Sequence, residues 1–247
     1  MIDEAVVRAG KIEIGGEVYD HLGTLKDDAF ARTELVAKDG NKYLYKISRL
    51  RLGGLPKMHW LMKRLTAREV RIHGLLAGVR GVPKLVKRVD EVSFIREFVE
   101  GRTLDRKPPF MRADFFDEFH EIVLNIHARG VAFVDLAKKE NVVVTRDGRP
   151  FLIDFQISIA RGTGWGPISW PRNAVVRLMQ CADVYHVLKH KRHIRPDLLT
   201  EEERRVRSRR PWFARLHKYM LRIPYHAVKR RIIPKHGDSR YPYYENE

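Results

Sequence analysis

One cysteine, Cys181, in 247 residues rules out an internal disulfide framework and fits a reducing compartment. No run approaches the ~20 apolar residues of a membrane span. The opening MIDEAVVRAGKIEIGG lacks the charged-then-apolar order of a signal peptide, so a cytoplasmic location is the expectation. No internal repeat and no low-complexity run appears before the basic end. Acids are scarce in one place. Residues 204–240 hold thirteen Lys and Arg against one acid, Asp238, and so carry +12 of the chain's +17. The remainder is only mildly basic, and the charge argument concerns the C-terminal segment alone.

Apolar residues make up 44%, enough for one large domain or two small lobes with a sizeable core, and too many for a disordered chain. Strand patterns cover 11–19, 32–37 and 42–47, with a turn at Asp39-Gly40, and then 84–89 and 93–98. A helix is expected over 56–77, with Leu61, Leu65, Ile72 and Leu76 on one stripe and Glu69 in a gap of that stripe. A second helix over 113–129 carries Phe115, Phe119, Ile122 and Ile126, and Gly130 stands at its C-terminal cap. Residues 173–193 are helical. Thr200 and Glu203 fit a capping box. Strands first and helices last give an α+β, two-lobed plan jointed near 97–102. The divisions are a β-rich 1–98, an α-rich 99–203 and a basic tail 204–247.

The stretch FVDLAKKENVVVTRDGRPFLIDFQ, from Phe133 to Gln156, carries the chemistry. Asp147-Gly148 reads as a two-residue hairpin loop, which sets Asn141 opposite Asp154 with Cβ atoms about 4.5–5.5 Å apart. A carboxylate and an amide oxygen at that spacing suit a hard cation such as Mg²⁺; on the hairpin alone, a polar pair where the sheet meets solvent is the stronger account. Lys46 shares a strand face with Leu44, and Glu69 within an apolar stripe calls for a partner, which Lys46 supplies. A capping box with Thr66 is the other account of Glu69. Lys, Glu, Asp, Asn and Asp in this order meet the needs of phosphoryl transfer, where a catalyst positions groups and neutralises spread charge.

Here the chain resembles the protein-kinase-like superfamily. VDLAKKEN is similar to the catalytic loop H-R-D-L-x-x-x-N, IDFQ to D-F-G, and YLYK to V-A-I-K. FIREFVEGRTL resembles the hinge segment, and CADVYHVL the helix whose aspartate anchors the catalytic loop. The resemblance covers about residues 15–195 and implies a two-lobed kinase-like fold that binds ATP and Mg²⁺. It implies Lys46 on the α- and β-phosphates, Glu69 holding Lys46, Asp135 as catalytic base, and Asn141 and Asp154 on the metal. Asp183 becomes the anchor, and Glu97 and Val99 offer backbone groups to adenine. Lys138 or Lys139 is placed to reach the γ-phosphate.

The departures are specific. HLGTLKDDAF keeps only Gly23 of a glycine-rich loop. Phe133-Val134 replaces His-Arg, and Asp135 to Asn141 spans six positions instead of five. Gln156 stands where D-F-G has glycine, and no A-P-E follows. This pattern is similar to bacterial lipopolysaccharide-sugar kinases and small RIO-like kinases. The expected acceptor is a protein serine or threonine hydroxyl or a sugar on a membrane glycolipid. A pseudokinase acting as a binding scaffold and a nucleic-acid-associated kinase are the alternatives. In the tail, Trp212, Phe213, Leu216, Tyr219, Met220 and Ile223 share one helical side. That suits an anionic membrane surface, packing on the α-rich lobe, or nucleic acid. Asp183, His186, His190 and His193 share a helix face that admits a metal-site reading. His127 reads as a packed or capping histidine.

Overall fold

Tight turns at glycine and aspartate fold the N-terminal part of the chain into consecutive antiparallel strands. A computed structural model describes residues 7–8, 10–27, 30–49, 59–106, 110–162 and 169–206. The helix start expected at 56 and the tail over 207–247, with its amphipathic helix, lie outside the described residues. The architecture is mixed α+β. By contacts the described chain divides into two compact units. The first runs to Gly78 and resumes over Pro83–Glu100; the second holds Val79–Val82 and the residues from Gly101 onward.

The first unit contains β1 (Val7–Arg8), β2 (Lys11–Ile14), β3 (Glu17–Asp27), β4 (Ala31–Lys38), β5 (Asn41–Ser48), α1 (His59–Leu75), β6 (Leu85–Arg88) and β7 (Ser93–Glu97). Its sheet has the order β1-β2-β3-β4-β5-β7-β6, and every pair is antiparallel. The single strand expected over 11–19 is two strands. Gly15 and Gly16 take φ of +56° and +77° and turn β2 into β3. Asp39-Gly40 turns β4 into β5 as expected.

The sheet curls, and ion pairs bridge β3 to the edge strand β6. Glu17, at the head of β3, receives Lys38 from β4 and Lys87 from β6, the far edge strand. The Tyr19 ring lies 5.5 and 5.9 Å from those two ammonium groups and edge-on to Tyr43. Lys38 first, and then Lys87, hold the Glu17 carboxyl down to about 2. Ile12, Ile14, Tyr19, Val36, Tyr45 and Ile95 form one core cluster, and Leu25, Leu35 and Leu44, with Phe98 against them, form another.

The expected stripe of α1 is buried at Ile72 and Leu76, with Glu69 in its gap, while Leu61 and Leu65 are half-buried. The buried face is wider than the stripe and also takes in Met62, Thr66 and His73. The Thr66 hydroxyl donates to Ser48 Oγ at 2.8 Å, tying the helix to the end of β5. Apolar spacing alone cannot register such polar ties.

The second unit contains β8 (Gly101–Thr103), α2 (Phe115–Ala128), β9 (Val131–Ala132), β10 (Val142–Thr145), β11 (Pro150–Leu152), β12 (Ile159–Ala160), α3 (Ser169–Ile194) and α4 (Glu201–Val206). The small sheets run β11-β10-β8 and β12-β9. Phe115, Phe119, Ile122 and Ile126 of α2 are all buried, and Gly130 closes the helix with φ +73°, its N–H donating to His127 O. The capping box forms: Thr200 N–H donates to Glu203 Oε2 (2.8 Å) and Glu203 N–H to Thr200 Oγ1 (3.2 Å). Glu203 also takes Lys191 at 3.0 Å, which pins α4 to α3. No helix among the described residues is long and apolar enough to cross a membrane.

Gly101 is a point of close approach. A Cβ there would lie 2.3 Å from Val144 O and 2.7 Å from Val143 Cγ1. Gly101→Ala therefore forces β8 away from β10 and is expected to cost about 1–3 kcal/mol. Denaturant unfolding measures it, and an unchanged midpoint refutes the close-packing account.

Candidate functional site

Alternation along β5 puts Lys46 on the face of Leu44, opposite Thr33 and Phe94 in the neighbouring strands. Its Nζ donates to both Glu69 oxygens, at 2.8 and 2.9 Å, and stands 6.0 Å from the Phe94 ring centroid. Both side chains are buried. Thr66 lies in the middle of α1 and is bonded to Ser48, so the capping-box account of Glu69 fails. At the end of β7, Glu97 N–H donates to Lys84 O (2.8 Å), and the Glu97 carbonyl accepts Arg96 Nη1 (3.0 Å). Of the two residues expected to offer backbone to a base, Glu97 thus has its N–H committed and one carbonyl lone pair in use. Val99 is buried. Arg96 is itself buried on that strand, a feature its flanking apolar residues do not announce.

In the second unit, the segment before Asp135 is strained. Val134 has φ +74°, a left-handed conformation that a β-branched residue adopts only when its surroundings impose it. Asp183 of α3 does so. Its carboxylate accepts Phe133 N–H at Oδ2 (2.8 Å) and Val134 N–H at Oδ1 (2.9 Å). His127 Nε2 lies 3.2 Å from Oδ2. Burial pushes the Asp183 carboxyl up, and His127 and the two amides oppose the shift. Ser158 Oγ donates to Phe133 O (3.0 Å), and Gln180 donates to Val131 O (3.0 Å). The Phe133 ring meets Phe155 edge-to-face at 5.0 Å.

Asp135 itself is half-buried, with Lys138 Nζ 2.5 Å from its Oδ2. Lys138, expected on a phosphate, stands on this carboxylate. The six-position spacing to Asn141 is absorbed by a short 3-10 turn over Lys139–Asn141. Asn141 is buried, and its Nδ2 donates back to the Asp135 carbonyl at 3.2 Å. The loop therefore closes on itself around Asp135.

The hairpin register differs from expectation by one. Val142 faces Leu152, Val143 faces Phe151 and Val144 faces Pro150. The loop has three residues, Arg146, Asp147 and Gly148, with Gly148 at φ +77°. Thr145 decides this: its hydroxyl accepts Arg149 N–H at 3.0 Å, which draws Arg149 into the opposing position. Asn141 is thus opposite Ile153, whose N–H donates to Asn141 O (2.9 Å), and Asp154 lies one residue beyond. At Asp154 the backbone turns to φ +67°, which ends the strand's alternation. With its nitrogen engaged, Asn141 has its amide oxygen left to offer, and Asp154 carries a carboxylate. Hard oxygens of this kind are the ligand type that Mg²⁺ prefers.

The histidine face of α3 has other work. Asp183 holds backbone amides, and His190 Nε2 lies 2.7 Å from Leu136 O. His193 Nδ1 lies 2.8 Å from Lys189 O. Among the described residues no group of three or more His, Cys, Asp or Glu is arranged to hold a metal. Sequence reasoning grouped His190 with these residues and missed its contact with the loop. No family model matches the chain, and no curated protein matches it.

Two predictions follow from this geometry. Glu69→Ala removes the bidentate partner of a buried ammonium and is expected to cost about 3–5 kcal/mol in denaturant unfolding, with Lys46→Met/Glu69→Leu recovering most of the loss. If the double variant is no better than the single, the pair is not the unit. Burial lowers His190 from 6.5 to about 4. The unfolded chain takes up this proton below 6.5 and the folded chain only near 4, so stability is full above 6.5 and falls as pH drops through that window. Unfolding midpoints between neutral pH and about pH 5 should slope less in His190→Gln than in the wild type; equal slopes refute the buried neutral imidazole.

Proposed function

We propose that this chain is an ATP-dependent kinase with a two-lobed, protein-kinase-like fold that transfers the γ-phosphoryl group to a hydroxyl. The observation that carries the reading is Asp135: a partly accessible carboxylate on a strained turn, bonded on both flanks and closed by Asn141. Strain of this kind, fixed by several independent contacts, belongs to sites where one side chain must be aimed. In this reading Asp135 orients the acceptor hydroxyl and takes its proton. The acceptor oxygen forms a bond to the γ-phosphorus while the bond from that phosphorus to the bridging oxygen breaks, and ADP leaves. Asn141 and Asp154 are the residues to hold Mg²⁺, which would neutralise phosphate charge. Lys46, held by Glu69, takes the α- and β-phosphates.

The acceptor is a protein serine or threonine, or a sugar of a membrane glycolipid. Activity that rises on anionic vesicles and is lost on deleting 204–247 supports the glycolipid. A pseudokinase is the second reading, favoured by Lys138 standing on the Asp135 carboxylate. Mg-ATP is expected to raise the melting temperature of the wild type and leave Asp154→Ala unmoved. Asp135→Asn should keep that shift and lose about 10²–10⁴-fold in transfer. A shift without transfer in the wild type supports the pseudokinase, and no shift at all removes the nucleotide reading.

A further inference from the structure

Asp183 and His190 are seven residues apart on α3, two helical turns, and so lie on one face. Asp183 accepts the N–H groups of Phe133 and Val134. His190 reaches the other side of the same loop, with its Nε2 2.7 Å from the carbonyl of Leu136, the residue directly after Asp135. Leu136 and His190 are both buried. A carbonyl only accepts, so Nε2 carries the hydrogen and the tautomer is set. One helix thus grips the chain on both sides of Asp135. The two grips have opposite polarity, an acceptor for the amides before it and a donor for the carbonyl after it. On the far side of Asp135 the loop's own bonds, from Asn141 Nδ2 and Lys138 N–H to the Asp135 carbonyl, hold it to itself; the His190 bond is the one that holds that side to α3.

We propose that His190 is a positioning residue, whose Nε2–H bond to Leu136 O fixes the orientation of the loop that carries Asp135. The consequence for turnover rests on the kinase reading above; the effect on the loop does not. His190→Leu keeps bulk and deletes the donor. His190→Gln keeps a donor near the place of Nε2.

In steady-state assays, His190→Leu should lower kcat about a hundredfold, the scale for small misplacement of a reacting group. The KM for ATP should stay within about twofold of wild type, since this change removes aim and not nucleotide contacts. His190→Gln should restore most of kcat. Amide hydrogen exchange over 133–141 should accelerate in His190→Leu and return toward wild type in His190→Gln. In the wild type, imidazole nitrogen shifts should show an Nε2-protonated ring with a slowly exchanging N–H.

Wild-type kcat in His190→Leu, or unaltered exchange over the loop, overturns the proposal. So does an Nδ1-protonated tautomer in the wild type, a result that needs no variant to fold. A wild-type protein that transfers no phosphate refutes the kinase reading alone, because loop exchange and tautomer still decide the role of His190.

Discussion

A carboxylate buried in the middle of α3 accepts two consecutive backbone amides, and the geometry around Asp135 depends on it. Without Asp183, Val134 has no reason to hold φ +74°. A valine left to its own preferences relaxes to the extended region, and the following side chain is redirected. The cost of burying Asp183 is visible in its raised carboxyl, opposed by His127 and the amides it binds. Such a group is costly when buried without bonds and stabilising to the local conformation when fully bonded. Gln180, Ser158 and His190 then bond neighbouring backbone groups of the same segment. The edge-to-face contact of Phe133 with Phe155 links this segment to the residues following β11.

The first unit solves a different problem, the burial of a charged pair with both partners out of water. Lys46 and Glu69 are removed from water, so their attraction must offset a desolvation cost of several kcal/mol per ion. Bidentate geometry and the Phe94 ring support the ammonium. Apolar replacements of similar volume would fill the same space without that cost. The curled sheet supplies the frame, with Glu17 of β3 bridging to Lys38 of β4 and Lys87 of β6.

The elements of both units were largely legible in the residues. Period-two and helical patterns located the strands and α2, and glycines marked the turns at Asp39-Gly40 and after α2. The failures were of hairpin register and of the breadth of a helix face. Thr145 converted an expected two-residue loop into three, and a slip of one residue moved Asn141 from Asp154 to Ile153. Met62, Thr66 and His73 widen the buried face of α1 beyond the stripe, with Thr66 bonded to Ser48. At the hairpin a side-chain hydroxyl outweighed the alternating pattern, because its bond to the Arg149 N–H fixes the register. Strand 11–19 was misread for a simpler reason: two glycines with positive φ were taken as strand interior.

Composition and order were sufficient for the α+β class, for the candidate charged residues and for the pairing of Lys46 with Glu69, since these rest on local periodicity and on the cost of an unpaired buried charge. Only the folded chain decided which backbone groups those residues hold. Asp183 and His190 meet the loop across about fifty residues of sequence, where no spacing rule reaches. Contacts of that separation are set by how α3 packs on the short strands around it, and packing depends on all the side chains at once.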